Sequence, residues 1–155
     1  MKLYLLRHAH TEKQKKNQLD FDRSIDQKGY SQTVALSKIF NELNFSEDVQ
    51  VICSDAKRTR DTLDEIKESI PISKIEYLKE LYLPSLDQLL KLIWNHSQVS
   101  QEVLIISHNF GISELASYLL DENITLHTGE LVVISFEGME GLAEISKGMG
   151  TRVFY

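Results

Sequence analysis

The chain has 155 residues, 42% of them hydrophobic and 26% charged, and carries a net charge of −6. That length suits one domain, residues 1–155, with one substantial core, and the acidic balance disfavours a general nucleic-acid or anionic-membrane surface. The single cysteine, Cys53, has no intramolecular disulfide partner, no basic region followed by a long apolar stretch opens the chain, and no apolar run approaches the ~20 residues that span a bilayer, so a cytoplasmic protein is expected.

Leu3, Tyr4, Leu5 and Leu6 form a short apolar run that reads as a buried strand and ends abruptly on Arg7 and His8. At the carboxyl end of a strand in an open α/β sheet, where ligands bind, this pair offers a cation and a nucleophilic imidazole. A strand leaving the core beside two surface residues would read the same way. Residues 13–23 are polar, and Lys13, Lys15 and Lys16 suit an ordinary solvated loop or one that attracts an anion. Asp26 is the expected N-cap of a helix whose Val34, Leu36, Ile39, Phe40 and Leu43 recur at roughly helical spacing.

A second apolar strand is expected over 49–53, with Ser54 or Asp55 capping the helix that follows. Arg58 and Arg60 in that helix point about 200° apart, so at most one faces a site. Residues 75–77 suggest a third strand, and Ser85 with Gln88 spells a capping box ahead of Leu86, Leu89, Leu90 and Ile93. Residues 103–106 are continuously apolar, as in a central parallel strand, and run into Ser107 and His108; Asn109-Phe110-Gly111 then opens an apolar helix over 112–120. Strand, histidine, helix repeats the opening of the chain. A further strand is expected over 131–136, and the glycine-flanked turn EGMEG predicts a terminal hairpin with its return strand over 142–146. Four alternations of strand and helix give a three-layer α/β/α sandwich around a mostly parallel sheet. The connections are short and leave little chain for a lid.

Leu5-Leu6-Arg7-His8-Ala9 resembles the signature of the histidine phosphatase (phosphoglycerate mutase-like) superfamily, usually Arg-His-Gly, and its Arg-His-Ala form is similar to that of SixA-type phosphohistidine phosphatases. Residues 22–32, DRSIDQKGYSQ, resemble the family's Asp-Arg-Pro-Leu-Thr-x-x-Gly-x-x-Gln segment, with Ser24 in place of the proline. Ser54, Arg58 and Thr62 match Ser-x-x-x-Arg-Ala-x-x-Thr, with Thr59 for the alanine, which selects Arg58 over Arg60. SHNFGISELA resembles the Gly-His-Asn-Pro-Gly segment, with Ser107 and Phe110 as departures. Leu126-His127-Thr128-Gly129-Glu130-Leu131 resembles a segment whose threonine and backbone border the phosphate pocket.

The resemblance implies a phosphoglycerate mutase-like mixed sheet with one antiparallel strand near its end, and a metal-independent phosphatase. In that reading His8 attacks phosphorus, while Arg7, Arg58 and a protonated His108 surround the phosphoryl oxygens. Asn109 and Thr128 contact the substrate, and neither cofactor nor metal is expected. His10 has no essential counterpart in the family, and His127 reads as an exposed loop residue. Glu80, near the end of the third strand, is placed to act as a proton donor; the segment around it looks more like the Leu-Tyr segment of SixA-type proteins, which implies no dedicated acid. The substrate implied is phosphohistidine in a protein partner. The alternatives are a small-molecule phosphomonoesterase and a non-catalytic phosphate-binding interaction module.

Overall fold

A computed structural model describes residues 1–46, 48–95, 101–139 and 141–155. Six strands, β1 (Lys2–Arg7), β2 (Val49–Ser54), β3 (Ile72–Leu78), β4 (Glu102–Ser107), β5 (Leu131–Ser135) and β6 (Thr151–Val153), form one sheet in the order β3-β2-β4-β1-β5-β6. The pairs β3–β2, β2–β4 and β4–β1 are parallel, whereas β1–β5 and β5–β6 are antiparallel. Among the described strands β5 alone therefore runs opposite to the others, the one antiparallel strand expected near the end of the sheet.

Alternation along the central strands makes three layers, because successive side chains leave opposite faces. Leu3, Leu5, Ile52, Val103 and Ile105 face α3 (Leu86–Asn95) and α4 (Gly111–Leu120). Tyr4, Leu6, Val51, Cys53, Leu104 and Ile106 face α1 (Gln27–Glu42) and α2 (Lys57–Ile66). Both faces are covered, so β2 and β4 are buried along their whole length.

The caps show how local chemistry sets the helices. Asp26 caps α1 by accepting the Gly29 amide at 2.9 Å. Ser85 and Gln88 exchange bonds at 2.9 and 3.3 Å, so the expected capping box forms. The caps expected for α2 do not: Ala56 takes the N-cap without a side-chain bond, and the Ser54 hydroxyl lies 2.8 Å from His108 Nε2 instead. In α1, Val34 is exposed and Thr33 is buried in its stead, its hydroxyl satisfied by the Tyr30 carbonyl at 2.8 Å.

The predicted return strand over 142–146 is corrected. Leu142–Glu144 is a short 3-10 turn that buries Leu142 and Ile145, three residues apart, and the strand pairing with β5 is β6. Three-residue spacing of buried groups fits a 3-10 turn, not the period of two in a strand. No helix among the described residues is long and apolar enough to cross a membrane.

Candidate active site

Three adjacent strands deliver the site. Arg7 ends β1, Ser54 ends β2 and Ser107 ends β4, with Arg7 in register with Ser107. The backbone beyond β1 stays pinned: His8 N–H donates to the Ser107 carbonyl at 3.2 Å, and the Gly129 amide lies 3.2 and 3.0 Å from the Arg7 and His8 carbonyls. Gly129 has φ +72°, and a Cβ there would meet Gln32 at 2.9 Å, so this stitch needs glycine. Around it opens a hollow of about 460 Å³ whose walls include Arg7, His8, Arg58, His108, Asn109 and Thr128. Arg7, His8, Arg58 and His108, predicted from three separate segments, share this pocket at the carboxyl ends of the parallel strands.

The His8 ring is buried and held in one tautomer. Its Nδ1–H donates to the Ala9 carbonyl at 2.8 Å, and its Nε2 accepts from Arg58 Nε at 3.2 Å. Burial, reinforced by the Arg58 and Arg7 cations, pushes its pKa down to about 3. The Nε2 lone pair is therefore free of a proton at neutral pH, the form a nucleophile requires.

His108 lies 5.0 Å from His8, ring centre to ring centre, and burial pushes its pKa down to about 2. The protonated His108 of the sequence reading is thus neutral in the protein alone; an anionic partner would have to raise it. Its Nδ1 and Arg7 Nε are buried polar atoms without a protein hydrogen-bond partner among the described residues. Orphaned polar atoms cost free energy unless a ligand or water satisfies them. Both belong to this pocket.

Arg58 is nearly fully buried and braced from a direction the sequence did not announce. Its Nη1 donates to the Asp20 carbonyl at 2.7 Å and its Nη2 to Asp20 Oδ2 at 3.0 Å. Asp20 also accepts from Arg23 Nη1 at 2.8 Å and from the Tyr82 hydroxyl at 2.7 Å. Those donors hold its carboxyl far below the usual range, so it stays an anion. Tyr82 in turn packs edge-on against His108 at 5.4 Å. Arg60 faces away, pairing with Asp55 and lying 3.9 Å over the Tyr77 ring, as helix geometry required. Four cations, Arg7, Lys13, Arg23 and Arg58, line the hollow against the single carboxylate Asp20. Positive charge is thus concentrated locally on an acidic molecule.

The remaining candidates divide. Asn109 lines the pocket, but its amide ties loops together, donating to the Leu126 carbonyl at 3.0 Å and accepting from Ser113 Oγ at 2.6 Å. Thr128 lines it as well, its carbonyl and hydroxyl oxygens taking Gln32 Nε2 at 2.6 and 3.3 Å. Glu80 lies outside: it sits exposed on a turn after β3 and borders a separate hollow with Leu78, Gln88 and Lys91. His127 is exposed. His10, set aside in the sequence, lines the pocket. Among the described residues no group of three His, Cys, Asp or Glu could hold a metal ion.

The sequence over residues 3–92 matches the model of the histidine phosphatase superfamily (branch 1). Among solved structures, the protein histidine phosphatase SixA complexed with tungstate is 19% identical, covers 99% of this chain and 95% of its own, and superposes with TM-score 0.80. A candidate SixA phosphohistidine phosphatase from Nakamurella multipartitia is 23% identical over 99% and 93% of the two chains, with TM-score 0.79. The mycobacterial glucosyl-3-phosphoglycerate phosphatase Rv2419c is 14% identical over 97% and 96%, with TM-score 0.64. At these identities the likeness shows the fold, an α/β sandwich of phosphoglycerate mutase type. No curated protein matches the chain in sequence. Because the family match spans more than half of the sequence and includes Arg7, His8 and Arg58, the chain belongs to branch 1 of the histidine phosphatase superfamily.

Proposed function

We propose that the protein is a metal-independent phosphatase that forms a phosphohistidine on His8, and that its substrate is phosphohistidine in a cytoplasmic protein partner. One observation carries the chemistry: a proton-free His8 Nε2 shares a pocket with two orphaned polar atoms, Arg7 Nε and His108 Nδ1. A phosphoryl group in front of His8 satisfies both. His8 attacks in line with the departing group; Arg7, Arg58 and His108 neutralise the equatorial oxygens, and His108 takes up a proton beside the dianion. Arg58 leaves the His8 lone pair as it turns to the phosphoryl oxygens. Water then hydrolyses the phosphoenzyme, and the cationic side chains stand in for the charge a metal ion would supply.

Exposed apolar side chains near the mouth support a protein substrate. Leu83 borders the pocket, Leu19 adjoins Asp20 and Phe110 adjoins Asn109; Phe110 is 80% exposed and Leu19 69%. Such side chains offer contact area to a protein surface. A small phosphorylated metabolite is the competing reading. A hollow of about 640 Å³ shares Asn109 with the site and has room for the rest of such a molecule.

Brief reaction with a labelled phosphoryl donor, neutral work-up and peptide mapping should place the label on His8. His8→Ala abolishes labelling, and His108→Ala slows it greatly. Label on His108 reverses the roles of the two histidines; label on a serine or on Cys53 refutes the mechanism. A panel of phosphohistidine proteins, phosphotyrosine peptides and sugar phosphates then separates the two substrate classes.

A further inference from the structure

We propose that His10, braced by Asp26, is the proton carrier of this site, acting as acid toward the departing group and then as base toward water. The inference rests on the phosphatase reading and adds a residue to it. His10 shares the hollow with His8 and Arg58, and it is built in firmly. Its amide donates to Gln32 Oε1 at 2.7 Å, its carbonyl accepts from the Asp26 amide at 3.2 Å, and its ring Nδ1 lies 2.7 Å from Asp26 Oδ2. Asp26 is itself fixed, because its other oxygen accepts the Gly29 amide at the start of α1. Gly29 permits this close approach: a Cβ there would stand 2.3 Å from the His10 carbonyl oxygen. A carboxylate on Nδ1 sets the tautomer and steadies the imidazolium, as in other acid–base histidines. Nε2 is left without a protein partner among the described residues.

Elimination points the same way. The ionisable side chains lining the hollow are Arg7, His8, His10, Lys13, Asp20, Arg23, Arg58 and His108. His8 is the nucleophile. The three guanidinium groups are poor proton donors. Asp20 accepts from three donors that keep it ionised. His108 is buried against Ser54 and Tyr82, and the proposed mechanism assigns it to the phosphoryl oxygens. Lys13 is exposed on the loop without a bracing carboxylate of the Asp26 kind. Histidine also suits a group that must both give and take a proton near neutrality.

The proton balance closes. In the first half, the His8 Nε2 lone pair forms the N–P bond while the bond from phosphorus to the leaving atom breaks; that atom keeps the electron pair and takes the proton from His10 Nε2. In the second half, a water oxygen bonds phosphorus as the N–P bond breaks, the pair returns to His8, and the water proton goes to His10 Nε2. Inorganic phosphate leaves, and both histidines are restored.

The test is the leaving-group dependence of wild type, His10→Gln and Asp26→Asn, the last retaining a competent N-cap. Across phosphomonoesters from p-nitrophenyl to simple alkyl, His10→Gln should lose about 100-fold or more in kcat/KM on alkyl esters and only a few-fold on p-nitrophenyl phosphate. With p-nitrophenyl phosphate as donor, phospho-His8 should accumulate in the variant, because its formation is barely slowed while its hydrolysis lacks the base. Asp26→Asn should shift in the same direction by about 10-fold, and tungstate should still inhibit both variants, showing an intact anion pocket. An equal loss across all leaving groups, or no loss on alkyl esters, overturns the assignment to His10. A wild-type protein that neither labels on His8 nor hydrolyses any phosphomonoester or phosphoramidate overturns the underlying phosphatase reading as well.

Discussion

Lowering the pH from 7.5 to 5.0 should remove about 4 kcal/mol of folding stability through His8 and His108 alone. Burial holds their folded pKa values at about 3 and about 2, whereas histidines of the unfolded chain titrate near 6.5. Below pH 6.5 the unfolded state therefore binds two protons that the folded state refuses. Stability is complete above that pH and is lost as the pH falls toward the folded values. Each refused proton costs about 1.4 kcal/mol per pH unit, so at pH 5 the loss is about 2 kcal/mol per ring. The two losses add, since a first proton on either ring would make a second harder at a ring separation of 5.0 Å. Against a typical domain stability of about 5–15 kcal/mol this is a large share. Urea unfolding at both pH values, for wild type, His8→Asn, His108→Asn and the double variant, measures it. Each single replacement should cut the pH-dependent loss by about 2 kcal/mol, and the double variant should be nearly flat. An unchanged wild-type stability, or a double variant that loses as much as wild type, would refute the claim that these rings stay neutral when folded.

EDTA should leave turnover intact while vanadate and tungstate inhibit, since the cationic pocket suits a trigonal-bipyramidal phosphoryl mimic; activity lost on chelation and restored by a divalent metal contradicts this. Glu80→Gln should keep kcat/KM within about twofold of wild type, because Glu80 lies outside the hollow that holds His8; steady-state kinetics on an alkyl phosphate checks it. Gly29→Ala should lower stability by about 1–3 kcal/mol, its Cβ meeting the His10 carbonyl oxygen at 2.3 Å and Ile25 Cβ at 2.9 Å. Denaturant unfolding reads that loss, and reduced activity on alkyl esters should accompany it as His10 is displaced.

The parts of the site legible in the sequence were those written as local pattern. Apolar runs that stop on Arg7-His8 and on Ser107-His108 are β1 and β4, and helical geometry separated Arg58 from Arg60. The helix starts at Asp26 and Ser85 were legible for the same reason: a cap and the amide that donates to it lie within three residues. What escaped depends on where loops travel. The Asp20 brace joins Arg58 and Tyr82 across 38 and 62 residues, and no spacing rule encodes those distances. Ser54 was read as a cap because its letter suits one, yet a histidine 54 residues away claims its hydroxyl. The terminal hairpin was misread through its apolar letters: Leu142 and Ile145 are buried by a turn, and the return strand is the more polar, largely exposed β6. His10 was passed over because the family resemblance assigns no essential histidine there, and Asp26 was read only as a cap. One carboxylate does both, one oxygen to each.

The sheet order also sets when, during synthesis, this chain can acquire an anion pocket. β1 and β2 carry His8 and lead into Arg58, but they do not pair with each other; β4 lies between them and hydrogen-bonds to both. A ribosome that has released about the first hundred residues has delivered His8 and Arg58 without the strand that sets their separation. The fourth strand supplies that spacer and ends one residue short of His108. Chemical competence therefore arrives in one step, on insertion of a late segment into the middle of an early scaffold, and a nascent chain truncated before it holds a histidine with nothing to aim it.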